Sequence, residues 1–348
     1  MKFLQKSLPL LARLTLIFTF LVILAGSVVR VTQSGMGCPD WPKCFGYYIP
    51  PTDPDQVNFH PNQAYKKNMM VIVNDTLWRA RQDFSATPIF DRTQWEKYPK
   101  HDYADFVVYQ TWVEYINRLL GALLGLFVFA VMVASLSYLK SNKWVPIYSF
   151  ALLFLTGFQA WLGKLVVDGN LIPQSISIHM LGALLLLLFA QLLLNRIKRK
   201  SSAPLGKPNL SWIALGAVFL TVIQVLIGTQ VREEIDVIAD QFGHQQRNLW
   251  IDSLSSVLTL HKAFSMVLLA INGILIYQLL QLNNNVRTKQ ARILGGLLLT
   301  EIMLGIVLNY INIPQAAQSL HLLVSCLIFS MQFGVFLSLR GREAVISR

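Results

Sequence analysis

Apolar residues gather in eight runs along the chain, at positions 10 to 29, 110 to 138, 145 to 167, 174 to 195, 210 to 231, 256 to 280, 292 to 310 and 319 to 339. Each run is near or above the roughly 20 residues that an α-helix needs to cross a hydrocarbon layer. Polar residues fall between the runs, so eight membrane-spanning helices are predicted. Pro146, Pro173, Pro208 and Pro314 lie at run ends. No pair of corresponding runs is broken midway, as happens in many transporters. One polar stretch is long: residues 30 to 110, rich in Pro, Asp, Asn and aromatics, are enough for a small folded cap.

Composition supports a bilayer as the solvent. Hydrophobic residues make up 54% of the 348 and charged residues 14%, against about 25% charged in an average soluble domain. The mean hydropathy is +0.47. The formal charge is +12, but the cations sit in short connections and form no basic face interleaved with aromatics, so a nucleic-acid partner is not expected. With a cytoplasmic N-terminus, the inner segments hold sixteen Lys and Arg residues, from Lys2 to Arg348, against Glu343 alone. That imbalance sets both termini inside and the long first connection outside. Lys2 and Lys6 before an apolar run ending in small residues resemble a cleaved signal peptide, but an internal repeat argues that this segment is retained.

In that repeat, Gly26-Ser27-Val28-Val29-Arg30 matches Gly228-Thr229-Gln230-Val231-Arg232 at an offset of 202. Ile172-Pro173-Gln174 leads to His179 as Ile313-Pro314-Gln315 leads to His321, at offsets of 141 and 142. With the second and sixth runs aligned at 144, Asn117-Arg118 falls on His261-Lys262. An even number of spans returns the chain to its starting side, so the halves repeat in parallel. The predicted fold is an all-α membrane protein of two tandem four-helix bundles related by a pseudo-two-fold axis. Residues 1–200, with the long loop, form the first bundle and residues 201–348 the second.

His179, His261 and His321 each lie a few residues inside the outer end of an even-numbered helix. About five residues of penetration place all three imidazoles roughly 8 Å below the boundary. Imidazole is a standard axial ligand of haem iron, whereas a lone intramembrane His is often a polar group turned to the bundle interior. Three at repeat-equivalent positions favour haem. A three-His zinc site is disfavoured because the repeat assigns only His261 and His321 to one bundle. That pair suits a six-coordinate haem. The first bundle offers Asn117 and His179 instead, with Glu114 one turn before Asn117.

A carboxylate near the membrane centre costs roughly 2.5 to 3.5 kcal/mol. Glu114 is explained either by an i,i+4 ion pair with Arg118 or by proton delivery beside a haem edge; the two are compatible. Arg30, Arg118, Arg232 and Lys262 near outer helix ends suit haem propionates or snorkel to the interface. Cys38 and Cys44 in the outer loop would form a structural disulfide or a redox-active pair. Cys326 reads as a buried small residue. His60, His101 and His244 read as solvated.

These residues carry a family resemblance. Gly26 to Arg30, then Thr32-Gln33-Ser34-Gly35-Met36-Gly37-Cys38-Pro39-Asp40-Trp41-Pro42, then Glu114-Tyr115-Ile116-Asn117-Arg118 and the Pro-Gln to His entries closely resemble the haem A synthase family. The likeness covers nearly all eight spans. It implies a bacterial inner-membrane enzyme oxidising the C8 methyl of haem O to a formyl group, giving haem A for cytochrome oxidase. It also implies haem b held by His261 and His321, with His179 and Glu114 serving the substrate haem. Cys38 and Cys44 match the family's cysteine pair, where a disulfide fits. Haem O synthase and an electron donor are candidate partners. Asn117 stands where many members have His, so single axial ligation by His179 is expected. The first outer loop is longer than usual, and a second cysteine pair is absent. The other classes open to the same helices are a dihaem electron carrier exchanging electrons with quinone and a non-catalytic haem-delivery protein. Glu114 and the Asn117 asymmetry favour the enzyme.

Overall fold

The structure, a computed structural model, describes residues 2–98, 105–168, 175–197 and 208–340. His101, the Ile172-Pro173-Gln174 phrase, the cations Lys198, Arg199, Lys200, Lys207, Arg342 and Arg348, and Glu343 lie outside the described residues. Eight helices are long and apolar enough to cross a membrane: α1 Lys2–Val31, α2 Val108–Ser135, α3 Trp144–Asp168, α4 Ser175–Ile197, α5 Pro208–Gln241, α6 Ser256–Leu280, α7 Asn285–Tyr310 and α8 Gln315–Leu339. The chain is a multi-pass membrane protein, and each expected span falls on one of them.

Two compact units divide the chain. One comprises Met1–Ser27, Ala122–Gln159 and Pro173–Arg348; the other comprises Val28–Gly121 and Ala160–Ile172. In the first unit α5 packs on α6 and α8, and α7 closes the ring against the same two helices, while α4 lies against α5 and α8. Its core joins Leu184 and Leu187 of α4, Ala214 and Ala217 of α5, Leu275 of α6, Leu294 of α7 and Phe329 of α8. The fully buried alanines let helix backbones approach closely, as small residues do between membrane helices. A second core draws on α1 to α4 through Leu8, Ala12, Val128, Leu152 and Leu193.

Helix α5 runs about three turns past its expected end at 231. The charged extension stays helical because Val231, Ile235, Ile238 and Ala239 form one apolar stripe, which packs on Trp250 and Ile313.

The expected cap is present in the second unit and contains strands. β2 Met70–Val73, β3 Thr76–Ala80 and β5 Trp95–Lys97 make an antiparallel sheet; β1 Ala64–Tyr65 pairs with β4 Phe84–Ser85. The β2–β3 register pairs Val73 with Thr76, leaving the two-residue turn Asn74-Asp75, both at positive φ. That is the turn geometry preferred in tight hairpins. Side chains alternate across the sheet: Met70, Ile72 and Leu77 join a cluster with Cys38, Cys44 and Phe45, whereas Val71, Trp78 and Ala80 join Tyr65 and Trp95.

Candidate functional site

In the second unit the Gly37-to-Trp41 motif is fastened to the first turns of α2. A Cβ on Gly37 would lie 2.6 Å from the Gln110 carbonyl carbon, so only glycine allows this approach. Thr111 Oγ1 donates to the Gly37 carbonyl at 2.7 Å, and the Cys38 N–H donates to Glu114 Oε2 at 2.9 Å. Glu114 is 3% exposed and also takes the i,i+4 ion pair from Arg118. The Arg118 fork continues to the carbonyls of Asp40 at 2.7 Å, Lys43 at 3.0 Å and Cys38 at 3.4 Å. Cys38 and Cys44 are joined in a disulfide within this loop. Asp40 accepts from the Gly46 N–H at 3.0 Å. Burial raises the Asp40 carboxyl above its ordinary range, against the lowering effect of backbone N–H donors and Arg118. Asn117 lies one turn past Glu114 with its amide oxygen buried and without a hydrogen-bond partner. Arg30 is in the last turn of α1.

In the first unit His179 stands half-buried on α4, and Gln159 of α3 donates from Nε2 to its backbone carbonyl at 2.9 Å. Gly182 admits that amide: a Cβ there would lie 2.0 Å from it. His261 on α6 and His321 on α8 face one another, with ring centroids 6.4 Å apart and planes at 64°. Gln224 of α5 donates to the His261 carbonyl at 3.1 Å and lies 3.2 Å from its Nδ1. Glu301 of α7 places Oε1 at 3.3 Å from His321 Nδ1. Glycine flanks both rings: a Cβ on Gly228 would be 3.1 Å from His261 Cε1, and one on Gly305 would be 3.8 Å from His321 Cε1. Arg232 is engaged by Asp236 at 2.5 Å and by Gln318 at 2.7 Å, while Lys262 is exposed.

Two imidazoles whose nitrogens each sit about 2 Å from one metal need a spacing of this order. The opposed rings, from separate helices and with Cβ-free space beside each, therefore fit an axially ligated haem. No group of three or more metal-ligating side chains converges among the described residues.

The profile of the COX15-CtaA family, described as cytochrome oxidase assembly protein, matches residues 10–77 and 78–333. The chain belongs to this family. Within it, a relative is the heme A synthase of Shewanella oneidensis, 27% identical over 247 residues, 70% of this chain. The match spans 63% of that relative's length. Membership agrees with the family resemblance of the sequence motifs.

Sequence reasoning missed Glu301, Gln224 and Gln159. The signal for Glu301 was available, since a lone carboxylate inside an apolar run marks a functional candidate. The offset of 142 that relates His179 to His321 also relates Gln159 to Glu301. Of the remaining described histidines, half-buried His60 lies 3.4 Å from Asp55 and exposed His244 lies 3.3 Å from Asp240. Cys326 is a buried free thiol.

Proposed function

We propose that the chain is a haem A synthase, oxidising the C8 methyl group of haem O to a formyl group for cytochrome oxidase. The observation that carries the reading is the opposed His261–His321 pair, 6.4 Å between centroids, with Gly228 and Gly305 leaving room beside it. In this reading the pair holds a resident haem b; when bound, that group supplies one-electron transfer. Lys262, next to His261 in the chain, and Arg232 are assigned to its propionates in this reading. Substrate haem O is taken through His179, with Asn117 as a weak counterpart and Arg30 and Arg118 for its carboxylates. Glu114 is the acid required for turnover. Its orientation is fixed by the Cys38 N–H and by Arg118, so the loop closed by the disulfide and the carboxylate form one assembly. The two tandem halves, 1–200 and 201–348, belong to the same proposal. So do a bacterial inner membrane, both termini inside, and haem O synthase and an electron donor as partners.

Haem extracted from membranes of a haem-O-producing host, with and without the chain, tests this reading. Haem A is expected with wild type and lost in Glu114→Gln. Unchanged haem O in membranes where the chain is fully haem-loaded would overturn it in favour of a dihaem electron carrier or a delivery protein.

A further inference from the structure

Glu301 is an acid that the proposed reaction does not use. It lies in the membrane-spanning α7, where a central carboxylate costs roughly 2.5 to 3.5 kcal/mol, and it forms no ion pair with Lys or Arg among the described residues. Its Oε2 and the Nδ1 of His321 are both buried and lack a hydrogen-bond partner, while Oε1 lies 3.3 Å from that Nδ1. A buried polar group left unsatisfied is costly, and a proton on Nδ1 lets that nitrogen donate to Oε1.

We propose that Glu301 is a positioning residue for the resident haem, holding the Nδ1–H of His321 so that Nε2 is the nitrogen turned to the iron. The inference rests on the reading that His261 and His321 are the axial ligands. A carboxylate behind a metal-bound imidazole fixes the tautomer and ring orientation and raises the ligand's basicity. The stronger donor favours the ferric state and lowers the reduction potential.

Gln159, at the position equivalent to Glu301, brings an uncharged amide to the His179 carbonyl, and Gln224 brings an amide to His261. Among these contacts the carboxylate is the one at His321. It sits in the half read as keeping its haem, rather than in the half read as releasing it.

The test is an equilibrium redox titration of the purified, haem-loaded full chain, with Glu301→Gln, Glu301→Leu and Glu301→Asp beside wild type. Removing a carboxylate from a span relieves a burial penalty, so both neutral variants are expected to insert; Glu301→Leu stands in should Glu301→Gln not fold. At equal haem content, the ferric-to-ferrous equilibrium of Glu301→Gln and Glu301→Leu is expected to move about tenfold toward ferrous. That corresponds to an upward shift of about 59 mV for one electron. Glu301→Asp stays within about threefold of wild type, and the ferric low-spin resonance shifts only in the neutral variants. Loss of haem from folded Glu301→Gln with retention in Glu301→Asp supports the same pairing. Unmoved midpoints and resonances in loaded neutral variants overturn the role of Glu301 and leave the ligand reading intact. A wild-type chain that takes up no low-spin haem overturns both.

Discussion

Asp40 shows how the chemistry of the loop depends on single atoms. Its Oδ2 is held by the Gly46 N–H, while Oδ1 is buried without a partner, so the charged form is under-solvated. The folded-state value therefore lies above the ordinary 3.8. A raised value means that the folded state binds the proton more tightly than the unfolded state. The contribution of Asp40 to stability is then full below about pH 4 and is lost as the pH rises through the folded-state value. Asp40→Asn keeps an acceptor for the Gly46 N–H and has no charge to bury. Its unfolding free energy should match wild type in acid and exceed it progressively toward pH 7, followed by thermal unfolding at several pH values; a difference independent of pH would refute the assignment. At this scale the sequence revealed the Glu114–Arg118 pair, because i,i+4 spacing on one helix requires no tertiary knowledge. It did not reveal that the Arg118 fork is spent on three loop carbonyls, since partners some 75 residues away depend on how the loop returns to α2.

Among the elements, the helices of the α5–α8 ring are tied by a polar chain within their apolar core. Thr221 of α5 donates to Gln332 Oε1 at 2.8 Å, Gln332 of α8 donates to Asn272 Oδ1 at 2.9 Å, and Asn272 of α6 donates to the Leu268 carbonyl at 2.8 Å. All three side chains are at most 2% exposed. Side-chain hydrogen bonds between membrane helices contribute about 0.6 kcal/mol on average and up to roughly 1.7, while a stranded buried donor costs about 1 to 3. Asn272→Leu or Gln332→Leu alone should therefore destabilise by about 1 to 2 kcal/mol. The double variant should cost less than the two singles together, because no donor is left stranded between them. A double-mutant cycle on reversible unfolding in mixed micelles measures the coupling, and strict additivity would show that the chain is not a unit. The eight spans were legible because each is a long, nearly unbroken apolar run. The cap strands were not, because a mixed polar and aromatic segment carries several weak signals at once, although Asn74-Asp75 after the β-branched run Val71-Ile72-Val73 is a readable hairpin turn. The α5 extension was cut short because its charges masked the stripe of Val231, Ile235 and Ile238.

For the whole molecule, the repeat is the feature that turns separate histidines into a proposal about division of labour. Composition gave the membrane and the offsets gave equivalent positions, but only the side-chain arrangement shows that two of the imidazoles form a ring-to-ring pair. His261 and His321 are 6.4 Å apart between centroids, and each is approached by a polar side chain of another helix. His179 is approached at its backbone by Gln159. Removing one of two axial imidazoles leaves a five-coordinate, high-spin iron or empties the site, whereas removing a ligand of exchangeable substrate does neither to the resident haem. His261→Ala and His321→Ala should each abolish the low-spin spectrum of the purified chain, and His179→Ala should leave it intact while lowering haem A formation. Were all three variants to lose the spectrum equally, the histidines would serve one shared centre, and the division into a holding half and a converting half would fall. Survival of the spectrum in His261→Ala and His321→Ala would instead place the resident haem on ligands that neither the offsets nor the ring geometry identifies.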